Sequence, residues 1–266
     1  MQSLAYDVML HSTVGGEANT GNAVVIINAD DWGRDREVTE RTLECLLQGV
    51  VSSVSAMVFM EDSERAAELA NQHGVDAGLH LNLTTAFSGL SCNPRLKEQQ
   101  RKVTRFLRAS RLCPAIYHPG LAGSFEYVVK AQLDEYERLY RRPPSRVDGH
   151  HHMHLCANVQ VQELLPPGTI VRRNFSFTQG EKGAINRFYR HWRDRRLAKR
   201  HRVTDFFFSL PPMDTPGRLE RIFDLATRWS VEVETHPVNA DEYAFLTGGE
   251  LIRRVGQVKI ARGYSL

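Results

Sequence analysis

The 266-residue sequence has no apolar run approaching the roughly 18 residues that a membrane-spanning helix needs, which excludes a spanning segment from the reading. Cysteine is scarce: Cys45, Cys92, Cys113 and Cys156 form no C-x-x-C pair. That spacing argues against a sulfur-held zinc or a disulfide framework and predicts free thiols in a reducing compartment. An excess of one charge is also missing. With 34 Lys and Arg against 31 Asp and Glu, the formal net charge is only +3, too little to commit the chain to nucleic acid, so no such partner is expected. The first 22 residues carry Asp7 and Glu17 and lack both a basic start and an apolar core, so they do not read as a signal peptide. The expectation is a cytoplasmic protein with a flexible extension over 1–22 and one domain over 23–266. Repeats and low-complexity tracts are absent, and 42% apolar residues suffice for one substantial core.

The segment that remains, 23–266, alternates in character. The β-branched run Ala23 to Asn28 reads as a strand buried on both faces. Helical spacing over Glu37 to Gln48 ends at Gly49, and a second strand (Val50 to Phe59), a helix (Asp62 to Gln72) and a third strand (Val75 to Leu83) follow. Further strands are expected at 145–152, 169–173, 205–210 and 231–235, with helices between most of them. This βαβ alternation predicts α/β architecture with a parallel sheet, and its seven or more strands favour a distorted, TIM-like (β/α) barrel over an open doubly wound sheet.

Polar residues collect where those strands end, the edge at which parallel barrels place their sites. Asp30 and Asp31 are adjacent carboxylates, a repulsive pair that becomes favourable around a bound cation or a shared proton; the plainer reading is a helix cap and a turn. His80 and Asn82 share one face of their strand, although a lone histidine there is more often a core residue. The third cluster, Asp148-Gly149-His150-His151-His152-Met153-His154, is stronger, because neutral imidazole is the commonest metal ligand. If the strand continues, Asp148, His150 and His152 share a face, His151 points away, and Asp148 is placed to fix the tautomer of a ligating histidine. Last, Glu232, Glu234 and His236 alternate along one strand, offering an imidazole as proton donor beside carboxylates.

Together these blocks resemble the YdjC-like carbohydrate deacetylases, which carry N-A-D-D-[FW]-G, G-x-H-x-x-L-T, D-[SG]-H-x-H-x-H and a late H-P motif. Here they read Asn28 to Gly33, Gly78 to Thr84, Asp148 to His154, and His236-Pro237, although Val238 stands where many relatives have glycine. The resemblance implies a distorted β/α barrel and a divalent ion, magnesium or zinc, held by Asp31, His80 and His150. It implies Asp30 as general base and His236 as general acid in removing acetyl groups from N-acetylated amino sugars. Asp148, His152, Asn82 and Glu234 are then expected around ligands or substrate.

Two histidines and a carboxylate also describe non-haem iron oxygenases, and clustered His and Asp suit phosphoesterases. A sugar-binding protein that has lost turnover is the reading from outside enzymology. The chain is also compatible with a homodimer. One stretch stands apart from all of these, the basic Arg187 to Arg202, which as a helix sets Phe188 and Trp192 on one face among arginines. That pattern suits weak contact with an anionic membrane surface, although packing of the aromatics on the barrel is the plainer expectation.

Overall fold

The run Val24-Val25-Ile26-Ile27 begins the central strand β1 (Val24–Trp32) of the computed structural model, which describes residues 23–176, 184–256 and 258–264. The expected extension over 1–22 lies outside these residues. The strands β2 (Ser53–Ala56), β3 (Ala77–Leu81), β4 (Arg146–Gly149), β5 (Ile170–Val171), β6 (Phe206–Ser209) and β7 (Ser230–Thr235) join β1 in one sheet, ordered β5-β4-β3-β2-β1-β7-β6. Every pairing is parallel. Each expected strand is present, most of them shortened.

Local chemistry sets the helices. α1 (Arg36–Leu47) starts at Asp35, whose carboxylate accepts from the Val38 N–H at 3.0 Å. α2 (Ser63–His73) stops at Gly74, which takes the left-handed φ of 63° that ends a helix. α3 (Pro94–Ala109) opens on an Asn93 cap followed by proline, and α4 (Ala122–Tyr140) packs along it. The later helices are α5 (Ala157–Val161), α6 (Ala184–Leu197), α7 (Arg218–Leu225), α8 (Ala240–Thr247) and α9 (Glu250–Val255). The core lies between sheet and helices, with Ile27, Val54, Leu79, Phe125, Tyr136 and Val233 fully buried. All four cysteines are free thiols. Among the described residues no helix is long and apolar enough to cross a membrane.

The sheet is curled, and one contact proves it. Arg172 follows β5 at one edge, yet its Nε lies 2.8 Å from Glu232 Oε1 on β7, five places along the order. In a flat sheet that separation would be about 24 Å at the usual strand spacing. The open doubly wound alternative therefore fails, and the seven parallel strands form a half-barrel. Its seam is crossed by single contacts instead of a ladder: Ser176 N–H donates to Phe207 O at 2.8 Å, and Ile170 bridges Arg202.

One expectation needs correction. The strand carrying the histidine cluster does not continue to His152; β4 ends at Gly149, and His150–Leu155 form a tight 3-10 turn. His151 and His152 both take left-handed φ, 54° and 58°, so strand alternation does not decide which way these histidines point. Gly149 is the tight spot of this turn. A Cβ there would meet His154 backbone N at 2.9 Å, whereas a Cβ on Gly123 in α4 would meet nothing within 4 Å. Gly149→Ala should therefore lower the unfolding free energy by about 1–3 kcal/mol, while Gly123→Ala should be neutral or slightly stabilising. Urea midpoints of the two variants against the parent check this.

Candidate active site

In a regular strand, neighbouring side chains point to opposite faces, so Asp30 and Asp31 could not both enter the half-barrel. A bulge resolves this. The register of β1 against β2 slips between Ala29 and Trp32, and Asp31 takes φ 67°. Both carboxylates then face inward, 3% and 2% exposed. The left-handed backbone at a non-glycine residue is strain of the kind that persists where a side chain must be aimed.

Asp31 meets two histidines. Its Oδ1 lies 3.3 Å from His80 Nε2 and 2.9 Å from His150 Nδ1, while Oδ2 accepts from Arg34 at 2.7 Å. This buried oxygen makes no hydrogen bond despite its close neighbours. Burial would raise the Asp31 pKa, but His150 and His80 beside it hold the carboxyl far below the usual range. An orphaned carboxylate oxygen facing two ring nitrogens is a donor set suited to a divalent cation. The three ligand atoms lie within 4.8 Å of one another.

His80 is oriented from behind. Its Nδ1 pairs with Asp148 Oδ1 at 2.8 Å, which leaves Nε2 facing Asp31. Asp148 also accepts from Ser55 Oγ at 2.5 Å. Although burial pushes the His80 pKa down, the charges of Asp30 and Asp148 win and raise it to about 10. A second acidic cluster, Asp30, His80 and Asp148, is also close enough to hold a cation. Its carboxylates, however, are already paired with Arg172, so the Asp31 set fits a metal better.

Arg172 is fully buried, and each of its three guanidinium nitrogens meets a carboxylate. Nη1 and Nη2 grip Asp30 at 2.7 and 2.8 Å, Nη2 reaches Asp148 at 2.9 Å, Nε reaches Glu232 at 2.8 Å, and Nη1 reaches Glu234 at 3.3 Å. Burial raises the Asp30 pKa, but Arg172 outweighs it and keeps the group a carboxylate. Glu234 moves the other way, raised well above the ordinary value by burial and by the charge of Asp30. His152 stands 3.8 Å from Glu234 and packs edge-on against Phe175 at 4.6 Å.

The remaining expected residues lie as follows. His236 comes directly after Thr235, which pairs with Ala29, so it stands level with Asp30 at the end of β7. Its backbone N–H donates to Glu242 at 2.9 Å, and no carboxylate hydrogen-bonds its ring among the described residues. Asn82 spends its amide within its own loop, accepting from the Thr84 and Thr85 N–H groups and donating to Thr85 O. His151 pairs with Thr84 Oγ1 at 2.9 Å and stays outside the Asp31 set. Arg172 was missed by sequence reasoning, although a strand of Ile170 and Val171 running straight into two arginines was a visible signal.

His154 supports this turn from below. Fully buried, it donates Nε2–H to the Arg172 carbonyl at 2.9 Å, while Nδ1 is unpartnered. Burial pushes its pKa down to about 4, below the roughly 6.5 of an unfolded histidine. As pH falls the unfolded chain takes this proton first, so the stability is complete above about pH 6.5 and lost as pH drops toward 4. His154→Gln should flatten that part of the stability curve, measured by urea midpoints from pH 7.5 to 4; an unchanged slope would remove His154 as its source.

Comparison with known proteins places this geometry in context. A carbohydrate deacetylase of Mus musculus is 32% identical over 148 residues, covering 51% of this chain and 44% of that protein. A chitooligosaccharide deacetylase of Serratia marcescens is 31% identical over 137 residues, covering 50% and 51% respectively. The chain thus spans about half the length of the curated relatives it matches. A crystal structure from Enterococcus faecalis, named for cellobiose-phosphate cleavage, superposes with a TM-score of 0.62 at 17% identity, covering 90% of this chain and 97% of that one, which bears on the fold alone. Residues 24–253 match the model of the YdjC-like protein family, and the chain belongs to that family.

Proposed function

We propose that the chain is a metal-dependent carbohydrate N-deacetylase acting on N-acetylated amino sugars. The observation that carries this reading is the division of labour between adjacent carboxylates. Asp31 presents an unpaired oxygen to His80 and His150, while Asp30, one residue away, is held ionised by Arg172. Deacetylase names among the relatives support the reaction class.

Asp31, His80 and His150 would hold the ion, and when bound it would supply Lewis-acid polarisation of the acetamide carbonyl and of water. Two imidazoles among three donors suit zinc better than magnesium, which prefers oxygen ligands. Asp30 accepts the proton of the attacking water. Arg172 fixes the plane of that carboxylate, and Asn28 Nδ2 donates to its Oδ1 at 2.8 Å. His236, at the neighbouring strand end, gives a proton to the departing amine so that it need not leave as an anion. Beside Glu234, the aromatic cluster of His152, Phe175 and Phe207 offers the kind of surface on which the apolar face of a sugar ring packs.

Asp30→Asn and His236→Ala should each reduce acetate release from N-acetylated chitooligosaccharides by roughly 10²–10⁴-fold with bound metal unchanged. His80→Ala or Asp31→Asn should lose the metal itself. Release of inorganic phosphate from sugar phosphates, with no acetate from acetylated sugars, would replace this reading with a phosphoesterase. Full activity in the Asp30 or His236 variant would remove that residue from its role.

A further inference from the structure

The outside of the half-barrel carries two surfaces that the proposed chemistry does not use. The first lies at the end of α3 and the turn after it. Arg105, Arg108 and Arg111 are exposed there, next to Leu112, Ile116 and Tyr117, which are 70%, 53% and 39% exposed. The second is the outer side of α6 and the residues following it, where Trp192 is 51% exposed beside exposed Arg195, Arg196 and Lys199. Only one acid, Asp194, occurs between Arg187 and Arg202. It is 6% exposed and turned inward, pairing with Arg173 and Asn174.

These surfaces are joined. α5 packs on the turn Cys113–Ala115 through the exchange between Asn158 and the His118 backbone, and it meets α6 where Val159 and Leu197 line a small cavity. Between them α5 exposes Val161, 55% accessible. Both also adjoin the histidine turn: the charge of Arg108 bears on His151, and Arg193 hydrogen-bonds the Leu155 carbonyl. The result is a belt of cations interspersed with one tryptophan, one tyrosine and three aliphatic side chains, running from the end of α3 across α5 to the outer side of α6.

We propose that this belt docks the protein on an anionic lipid bilayer. Cations alone would suit any polyanion, nucleic acid included. Exposed Leu112, Ile116 and Val161 decide between them, because a bilayer rewards burial of aliphatic side chains between headgroups and a phosphodiester backbone does not. Tryptophan and tyrosine among arginines and lysines fit the same boundary, where an apolar ring and a polar edge are both satisfied. A second copy of the chain docked face to face would oppose like charges and is disfavoured.

The test is sedimentation of the full chain with vesicles of phosphatidylcholine alone or containing 30% phosphatidylglycerol, at low and high salt. Binding to the anionic vesicles alone, weakened by salt, is expected. Each cation removed among Arg108, Arg111 and Lys199 by change to Gln should reduce partitioning about fivefold. Leu112→Gln with Ile116→Gln and Trp192→Ser should reduce it by at least roughly tenfold. Thermal unfolding of every variant should match the parent, which separates lost docking from lost folding. No sedimentation with anionic vesicles at low salt would overturn the proposal. So would unchanged binding by the apolar variant together with displacement by a single-stranded oligonucleotide, which would mark a general polyanion surface.

Discussion

The half-barrel is organised around one buried guanidinium. Arg172 is held by four carboxylates drawn from β1, β4 and β7, and no flat sheet could bring those strands to one group. Taking a charge out of water costs several kcal/mol unless partners restore its interactions, and removing one partner of such a set typically costs about 3–5 kcal/mol. The contacts of Arg172 therefore act as a registration device. They fix the edge strand β5, which is only two residues long, against the opposite side of the sheet. They also fix the plane of Asp30.

Four carboxylates around one arginine leave an excess of negative charge, and Asp31 adds to it. The structure relieves this in two visible ways. Glu234 and Glu232 are pushed up by burial, toward the protonated form, and His80 is raised to about 10, so that it carries a proton among Asp30, Asp31 and Asp148. An imidazolium there occupies the electrostatic place of a cation. The same field that favours that proton favours a divalent ion once the ring is neutral. Metal affinity in this reading comes from the surplus of buried acid as much as from the three ligand atoms.

Much of this was legible in the sequence, and the failures have physical causes. Strand and helix positions follow from β-branched runs and caps that act locally, such as Val24 to Ile27 for β1 and Asn93-Pro94 for α3. Asp30, Asp31, His80 and His150 could be read as one group because each sits at a strand end, and parallel strands place those ends together. The path of the histidine cluster was not legible. His151 and His152 take left-handed backbone, which ends the strand at Gly149, and strand alternation cannot foresee two such residues in a row. Arg172 escaped because its meaning depends on Asp30, 142 residues away, and on a curl that no local pattern encodes. The bulge at Asp31 is similar: alternation predicts opposite faces for neighbouring aspartates, and only the paired strand reveals the slip.

The distribution of charge carries the final step. A net charge of +3 suggests a nearly neutral protein, yet the total conceals a separation. Five of the 31 acids, Asp30, Asp31, Asp148, Glu232 and Glu234, cluster inside the half-barrel, each 5% exposed or less. Exposed arginines and lysines line the end of α3 and the outer side of α6. Salt screens the exposed charges more strongly than the buried ones. An interior of that charge suits a cation or a neutral group better than an anion. The buried acids thus disfavour anions within the site whatever charge the outer surface carries, which a net total of +3 does not reveal.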